Sequence, residues 1–352
     1  MNTENDHKEK DETLSCDETA HIDTESVRTS SGFGRLFRNR SGRLRTVWRL
    51  LLYILFAGAL ALLFGTTTRL FFGMSSGETV IDSPRSIIGI YVADAALILA
   101  AYIMVRRIDR RPFLMYGLGF HPGWIREFIG GMGAGSILLF LVFCFMSISG
   151  SGTVVWIGTD PAVLGGVGTM FIVFLGAAAL EELLMRGYPF QVFVEGTTPL
   201  IGVVAFSSLF GLGHTNNEHW GLIGFLNTSL AGVLLSVLYL KTRSLWLPIG
   251  LHTAWNWMQG SVFGIPVSGI AIENSLISFT PRGASPLNGG EFGAEGSLFA
   301  TAVLTGAIVY TLRNRRSRPS GRLSRLWDET VQINRQTAHL PSSSRGPGDM
   351  ID

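Results

Sequence analysis

Eight stretches of this chain are so poor in charge and so rich in large apolar side chains that water cannot keep them in solution as surface. They run roughly over residues 47–68, 87–105, 128–149, 165–193, 199–214, 222–240, 246–263 and 296–312. A helix needs about 20 mostly apolar residues to cross the hydrocarbon core of a bilayer. Inside lipid the backbone must bond to itself, so each stretch is expected to be helical. The pattern points to an all-α, polytopic membrane protein with about eight transmembrane helices. Charged residues make up 15% of the chain, against about 25% in a soluble domain. They crowd into residues 1–49, 106–127 and 313–352.

Basic residues collect on the cytoplasmic side of membrane helices. Arg35, Arg38, Arg40, Arg43, Arg45 and Arg49 precede the first stretch. RRIDRR (106–111), KTR (241–243) and RNRRSR (313–318) follow the second, sixth and eighth. Alternating spans put all these ends on one side, so both termini are expected in the cytoplasm of a cell-membrane, multi-pass protein. The organisation expected is a cytoplasmic tail (1–46, acidic then basic, disordered over 1–34), accessory helices (47–164), a core (165–263), an outer loop with the last helix (264–312) and a polar tail (313–352). The amino terminus is polar for over 40 residues, unlike a cleaved signal peptide. Residues 113–131 read either as an interfacial stretch or as an ordinary loop. Basic residues flank apolar runs without forming a basic face, so no nucleic-acid partner is expected. The two cysteines, Cys16 and Cys144, offer no disulfide framework.

An ionisable group inside a bilayer costs roughly 2.5–3.5 kcal/mol on insertion scales, so such residues mark interior contacts or function. The polar groups within the stretches are Asp94, Glu181, Glu182, Arg186, His214, His252 and Asn256. Glu182 and Arg186 stand four apart and can pair on one helix face. Glu181 points about 100° away and has no local partner. It reads either as a general base or as a bond to a neighbouring helix. His252 and Asn256 also share a face. The fourth and fifth stretches form a hairpin near 194–198, which brings Glu181 and His214 to depths within roughly a turn. A tilted or partly broken seventh helix, helped by Pro248 and Gly250, would bring His252 level. Asp94 reads as structural, with Arg69 or a backbone group as partner, or else as lining a cavity. His219 reads as a loop residue. Gly131 and Gly135 form a small-xxx-small pair that suits packing within or between chains.

A Glu–His pair can deprotonate water while a His and an Asn donate to a tetrahedral oxyanion. No Ser-His-Asp set or HExxH motif is present. EELLMR (181–186), FGLGH (210–214) and HTAWN (252–256) resemble the EExxxR, FxxxH and HxxxN motifs of the CPBP family of CAAX-processing and bacteriocin-processing (Abi-type) intramembrane proteases, which includes the type II CAAX prenyl endopeptidases. The resemblance covers about residues 165–262, and LNGGEFGAEGS (287–297) is similar to a loop of bacterial-type members. It implies a glutamate-dependent endopeptidase in an eight-helix fold. Glu181 and His214 would activate water, His252 and Asn256 would hold the oxyanion, Glu182 and Arg186 would support, and Phe210 would pack at the wall. The family is often labelled metalloprotease, and Glu181, His214 and His252 could hold Zn²⁺ with a position open. Metal-dependent and metal-free chemistry both stay open, with the oxyanion role of Asn256 favouring the latter.

The function expected is hydrolysis of a peptide bond in a membrane-associated peptide or protein. The alternative is a non-catalytic scaffold or immunity-type protein of the same fold. A transporter with these residues along a proton path is disfavoured by the lack of inverted repeats.

Overall fold

The computed structural model describes residues 34–38, 43–72, 83–283, 286–314 and 319. The disorder expected of residues 1–34 and of the tail after Arg318 lies, apart from Gly34 and Pro319, outside them. The described chain is helical throughout its apolar stretches. A short helix α1 (Gly34–Phe37) precedes α2 (Thr46–Phe72), α3 (Pro84–Ile103), α4 (Trp124–Ile148), α5 (Pro161–Met185), α6 (Tyr188–Gly196), α7 (Pro199–Gly213), α8 (Leu222–Thr242), α9 (Trp246–Trp257) and α10 (Leu298–Arg313). Starts are written in local chemistry. Ser83, Asp160 and Thr198 each precede a proline and cap the helix that follows with a side-chain oxygen, and Ser297 caps α10 in the same way.

The chain is a multi-pass membrane protein. Five segments are long and apolar enough to cross a bilayer: Thr46–Thr68, Pro84–Ile108, Trp124–Ile148, Pro161–Gly196 and Leu222–Thr242. The other three expected spans are shorter. α7 and α10 have 15 and 16 residues, and α9 has 12 before a π turn at Met258–Val262. Irregular backbone at such depth is tolerated where protein surrounds it.

The expected helix over 165–193 is in fact two helices. Pro189 lacks the N–H needed to continue α5, and its ring would strike the carbonyl one turn back. The chain therefore turns at Arg186 and Gly187. A side chain on Gly187 would collide with the Leu183 carbonyl and the Tyr116 hydroxyl. Pro248 sits in the first turn of α9, where its missing N–H costs little, so it makes no break there; the α-helix runs to Trp257 and gives way to the π turn. Residues 113–131 fold inward in part, with Met115, Tyr116 and His121 buried. Two short strands join the outer loops, β1 (Gly152–Trp156) and β2 (Ile277–Pro281), antiparallel with Val154 opposite Phe279. Period-3.6 reasoning missed them because both lie in loops between apolar stretches.

Packing places α5 between α3 and α9, with α9 against α4, α7 against α8 and α8 against α10. Glycines set the closest approach. Side chains on Gly131 or Gly135 would collide with the Leu247 or Leu251 carbonyls of α9, and one on Gly250 with the Phe128 carbonyl of α4. The small-xxx-small pair therefore packs two helices of this chain. Arg49 of α2 reaches Asp109, Glu195 and Tyr188, which ties α2 to α6 in a buried cluster. One apolar core gathers Leu97, Leu183, Phe190 and Phe206; another gathers Leu139, Leu234, Trp255 and Leu304.

Candidate active site

The last turn and a half of α5 carries two carboxylates in opposite circumstances. Glu182 is fully buried and its Oε1 lies 3.0 Å from Nη1 of Arg186, itself fully buried. A buried ion pair repays its desolvation only when its remaining donors are also satisfied. Here Arg186 Nη2 donates to the Gly232 carbonyl at 3.0 Å and Nε to Ser236 Oγ at 3.3 Å, while the guanidinium carbon stands 4.7 Å over the Phe210 ring. Gly232 makes this possible, since a Cβ there would crowd both the guanidinium and Ser207. Glu181, about 100° round the helix, faces a cavity and its side chain is 37% exposed.

His252, in the second turn of α9, stands between the two carboxylates. Its Nδ1 lies 3.0 Å from Glu182 Oε1 and its Nε2 3.6 Å from Glu181 Oε2. α5 ends at Met185, so the carboxylates sit one turn from its end, where His252 of α9 reaches both.

His214 caps α7, and its Nδ1 is 2.7 Å from the Phe210 carbonyl. A carbonyl only accepts, so Nδ1 carries a proton and in the neutral ring Nε2 keeps its lone pair. Phe210 touches both imidazoles edge to face, with centroids 4.9 Å from His214 and 5.8 Å from His252. No hydrogen bond joins Glu181 to His214 among the described residues.

These groups meet on one cavity of about 180 Å³, lined by Glu181, Phe210, His214, His252 and Asn256 together with apolar side chains such as Val173, Phe174, Leu251 and Ile272. Glu182 and Arg186 stay behind that wall. Glu181, His214 and His252, the suggested zinc ligands, do not converge on one point, and no group of three His, Cys, Asp or Glu among the described residues is arranged to hold a metal ion. The side chains as placed do not fit the metal. Asp94 is buried with Oδ1 unpartnered and is not part of the cavity wall; the Arg69 side chain lies outside the described residues. His219 is exposed and pairs with Glu291 at 3.0 Å.

The census of polar residues within apolar stretches missed the far wall. Asn217, Asn227, Ser268 and Glu295 also line the cavity. Asn217, Ser268 and Glu295 lie in loops, where polarity carries no warning, and only the likeness of segment 287–297 to a family loop pointed to Glu295. Asn227 lies within the 222–240 stretch, where its polarity was a signal that went unused.

Residues 163–258 match the family model described as type II CAAX prenyl endopeptidase Rce1-like. The matched region runs from the first turn of α5 to the π turn after α9, and it contains Glu181, Glu182, Arg186, Phe210, His214, His252 and Asn256. Over that region the chain is similar to the Rce1-like family, in agreement with the CPBP motifs, and the match supports a protease-type enzyme at family level. No curated protein matches the chain.

Proposed function

We propose that this Rce1-like chain is an intramembrane endopeptidase that hydrolyses a peptide bond in a membrane-associated peptide or protein. The observation that carries the reading is the convergence of Glu181, His214, His252 and Asn256 on one cavity. Water held between Glu181 and His214 Nε2 gives up a proton as its oxygen attacks the substrate carbonyl. The proton then passes to the leaving amine. His252 and Asn256 donate to the oxyanion.

The contact of His252 Nδ1 with Glu182 constrains this chemistry. Nδ1–H is committed to Glu182 Oε1, so Nε2 can donate to an oxyanion only when the ring is doubly protonated. Glu182 and Arg186 thus support the reaction by holding His252, in addition to satisfying each other. The apolar majority of the cavity suits an apolar substrate side chain, and the family name makes a prenylated CAAX peptide one substrate to try. No step is routed through a metal, since the three candidate ligands do not converge.

The test is cleavage of a membrane-peptide library, prenylated and not, by reconstituted wild type and Glu181→Ala. Cleavage by wild type alone is expected. Equal cleavage by both, or by neither while both remain folded, would overturn the reading and favour the scaffold alternative.

A further inference from the structure

Two helices turn a stripe of the same design toward the catalytic cavity. α5 presents Phe174, Ala177 and Glu181, and α8 presents Thr228, Ala231 and Leu235. Both sets keep the three-then-four spacing of one helix face. An alanine stands at the centre of each, one turn from a larger side chain on either side. Both alanines are half-buried, and their methyl groups border the open space.

The polar side chains at the far end of the cavity have their bonds inside the protein. Asn227 donates to the Glu295 carbonyl at 2.7 Å and to the Ser297 carbonyl at 2.8 Å, and accepts from Thr301 of α10 at 2.7 Å. Thr228 donates to the Gly224 carbonyl at 2.9 Å. The Glu295 side chain accepts from Gln259 Nε2 and, at 3.2 Å, from Ser268 Oγ. Beyond its catalytic groups the cavity therefore offers a ligand mainly apolar surface, to which α9 adds Leu251 and Trp255 and α10 adds Leu304.

Size then limits what can enter. The volume of about 180 Å³ is little more than the roughly 150 Å³ of an apolar cavity that takes up benzene. It falls below the ~300–1,000 Å³ of pockets that enclose a whole small molecule. The attacking water and the scissile carbonyl must share this space. One side chain of leucine or phenylalanine size fits in what remains, and a prenyl chain does not.

We propose that the cavity is a specificity pocket for one unmodified aliphatic or aromatic side chain next to the scissile bond, with Ala177 and Ala231 setting its size. The substrate class is then a membrane-associated peptide recognised by that side chain and not by a prenyl group. The inference rests on the endopeptidase reading of the site.

The test takes a peptide cleaved by the full chain in liposomes and varies the residue on each side of the cleaved bond among alanine, leucine, phenylalanine and farnesylated cysteine. At one of the two positions, kcat/KM should be at least about tenfold higher for leucine or phenylalanine than for alanine, since even one methylene in an apolar pocket is worth about tenfold or more. The farnesylated peptide should do no better than the alanine peptide. Ala231→Leu fills the pocket, and the ratio of leucine to alanine cleavage should fall to about one or below. Ala177→Val carries the same prediction from the α5 wall if Ala231→Leu misfolds. A preference for the farnesylated peptide, or an unchanged ratio in a folded filling variant, would overturn this inference and, with Glu181→Ala inactive, leave the protease reading standing. No cleavage of any peptide by folded wild type would overturn both.

Discussion

Nδ1 of His252 lies 3.0 Å from Glu182 Oε1, the same oxygen that Arg186 Nη1 reaches at 3.0 Å. One buried oxygen therefore ties the C-terminal end of α5 to α9 and sets the orientation of an imidazole on the cavity. The pairing that the spacing of Glu182 and Arg186 foretold is half of a larger unit.

Breaking that unit on one side should cost more than removing it whole. Glu182→Gln or Arg186→Met alone leaves a buried charge uncompensated, and a loss of about 3 kcal/mol in unfolding free energy is expected. The double variant Glu182→Leu with Arg186→Met should recover part of this. Denaturant unfolding in detergent measures it, and single variants with wild-type midpoints would contradict the ion-pair account.

Glu181 should behave in the opposite manner. It faces the cavity, and its neighbour across the helices, His252, is held more closely by Glu182, so Glu181→Gln should unfold like wild type while cleavage falls by about a hundredfold or more. A large drop in stability with this variant would assign Glu181 a packing role instead.

The α4–α9 contact should be intolerant of side chains at its glycines. Gly135→Leu and Gly250→Val force backbone apart and should cost at least 1–3 kcal/mol, with cleavage lost as α9 carries His252 away. Gly133→Leu is the control, because a Cβ at Gly133 meets nothing within 4 Å. Thermal unfolding separates the two classes.

Asn227→Ala should free the connection that carries Glu295. The Glu295 carbonyl loses the Asn227 donor, and the Ser297 carbonyl and Thr301 hydroxyl lose their shorter bonds to Asn227, at a cost of about 1–3 kcal/mol. Limited proteolysis should then cut within 264–297 faster than in wild type; an unchanged cutting rate would count against the tether.

Cleavage should survive exhaustive chelation, because Glu181, His214 and His252 do not gather as a ligand set. Activity lost in chelator and restored by zinc would mean that these donors draw together on binding metal.

The helical membrane architecture was legible because hydrophobic runs and helix caps are local properties. EELLMR shows both the reach and the limit of such reading. Its i,i+4 spacing identified the ion pair, and the 100° step singled out Glu181. The identity of the third member, His252, 70 residues away, depended on where α5 stopped. Pro189 marked that stop, yet the apolar run continued through it and concealed the break. Glu295 was harder still, since an acid in a polar loop looks solvated until the loop folds back over the cavity.

The sequence by itself determined which segments must leave water, where several helices begin, and which polar residues were too costly in lipid to be incidental. Only the tertiary structure decided which of those residues share a cavity, which oxygen each imidazole meets, and that the α4 glycines pack against a helix of the same chain. Burial and capping act on a residue and its near neighbours, whereas the partner of a buried charge is set by how separate helices pack.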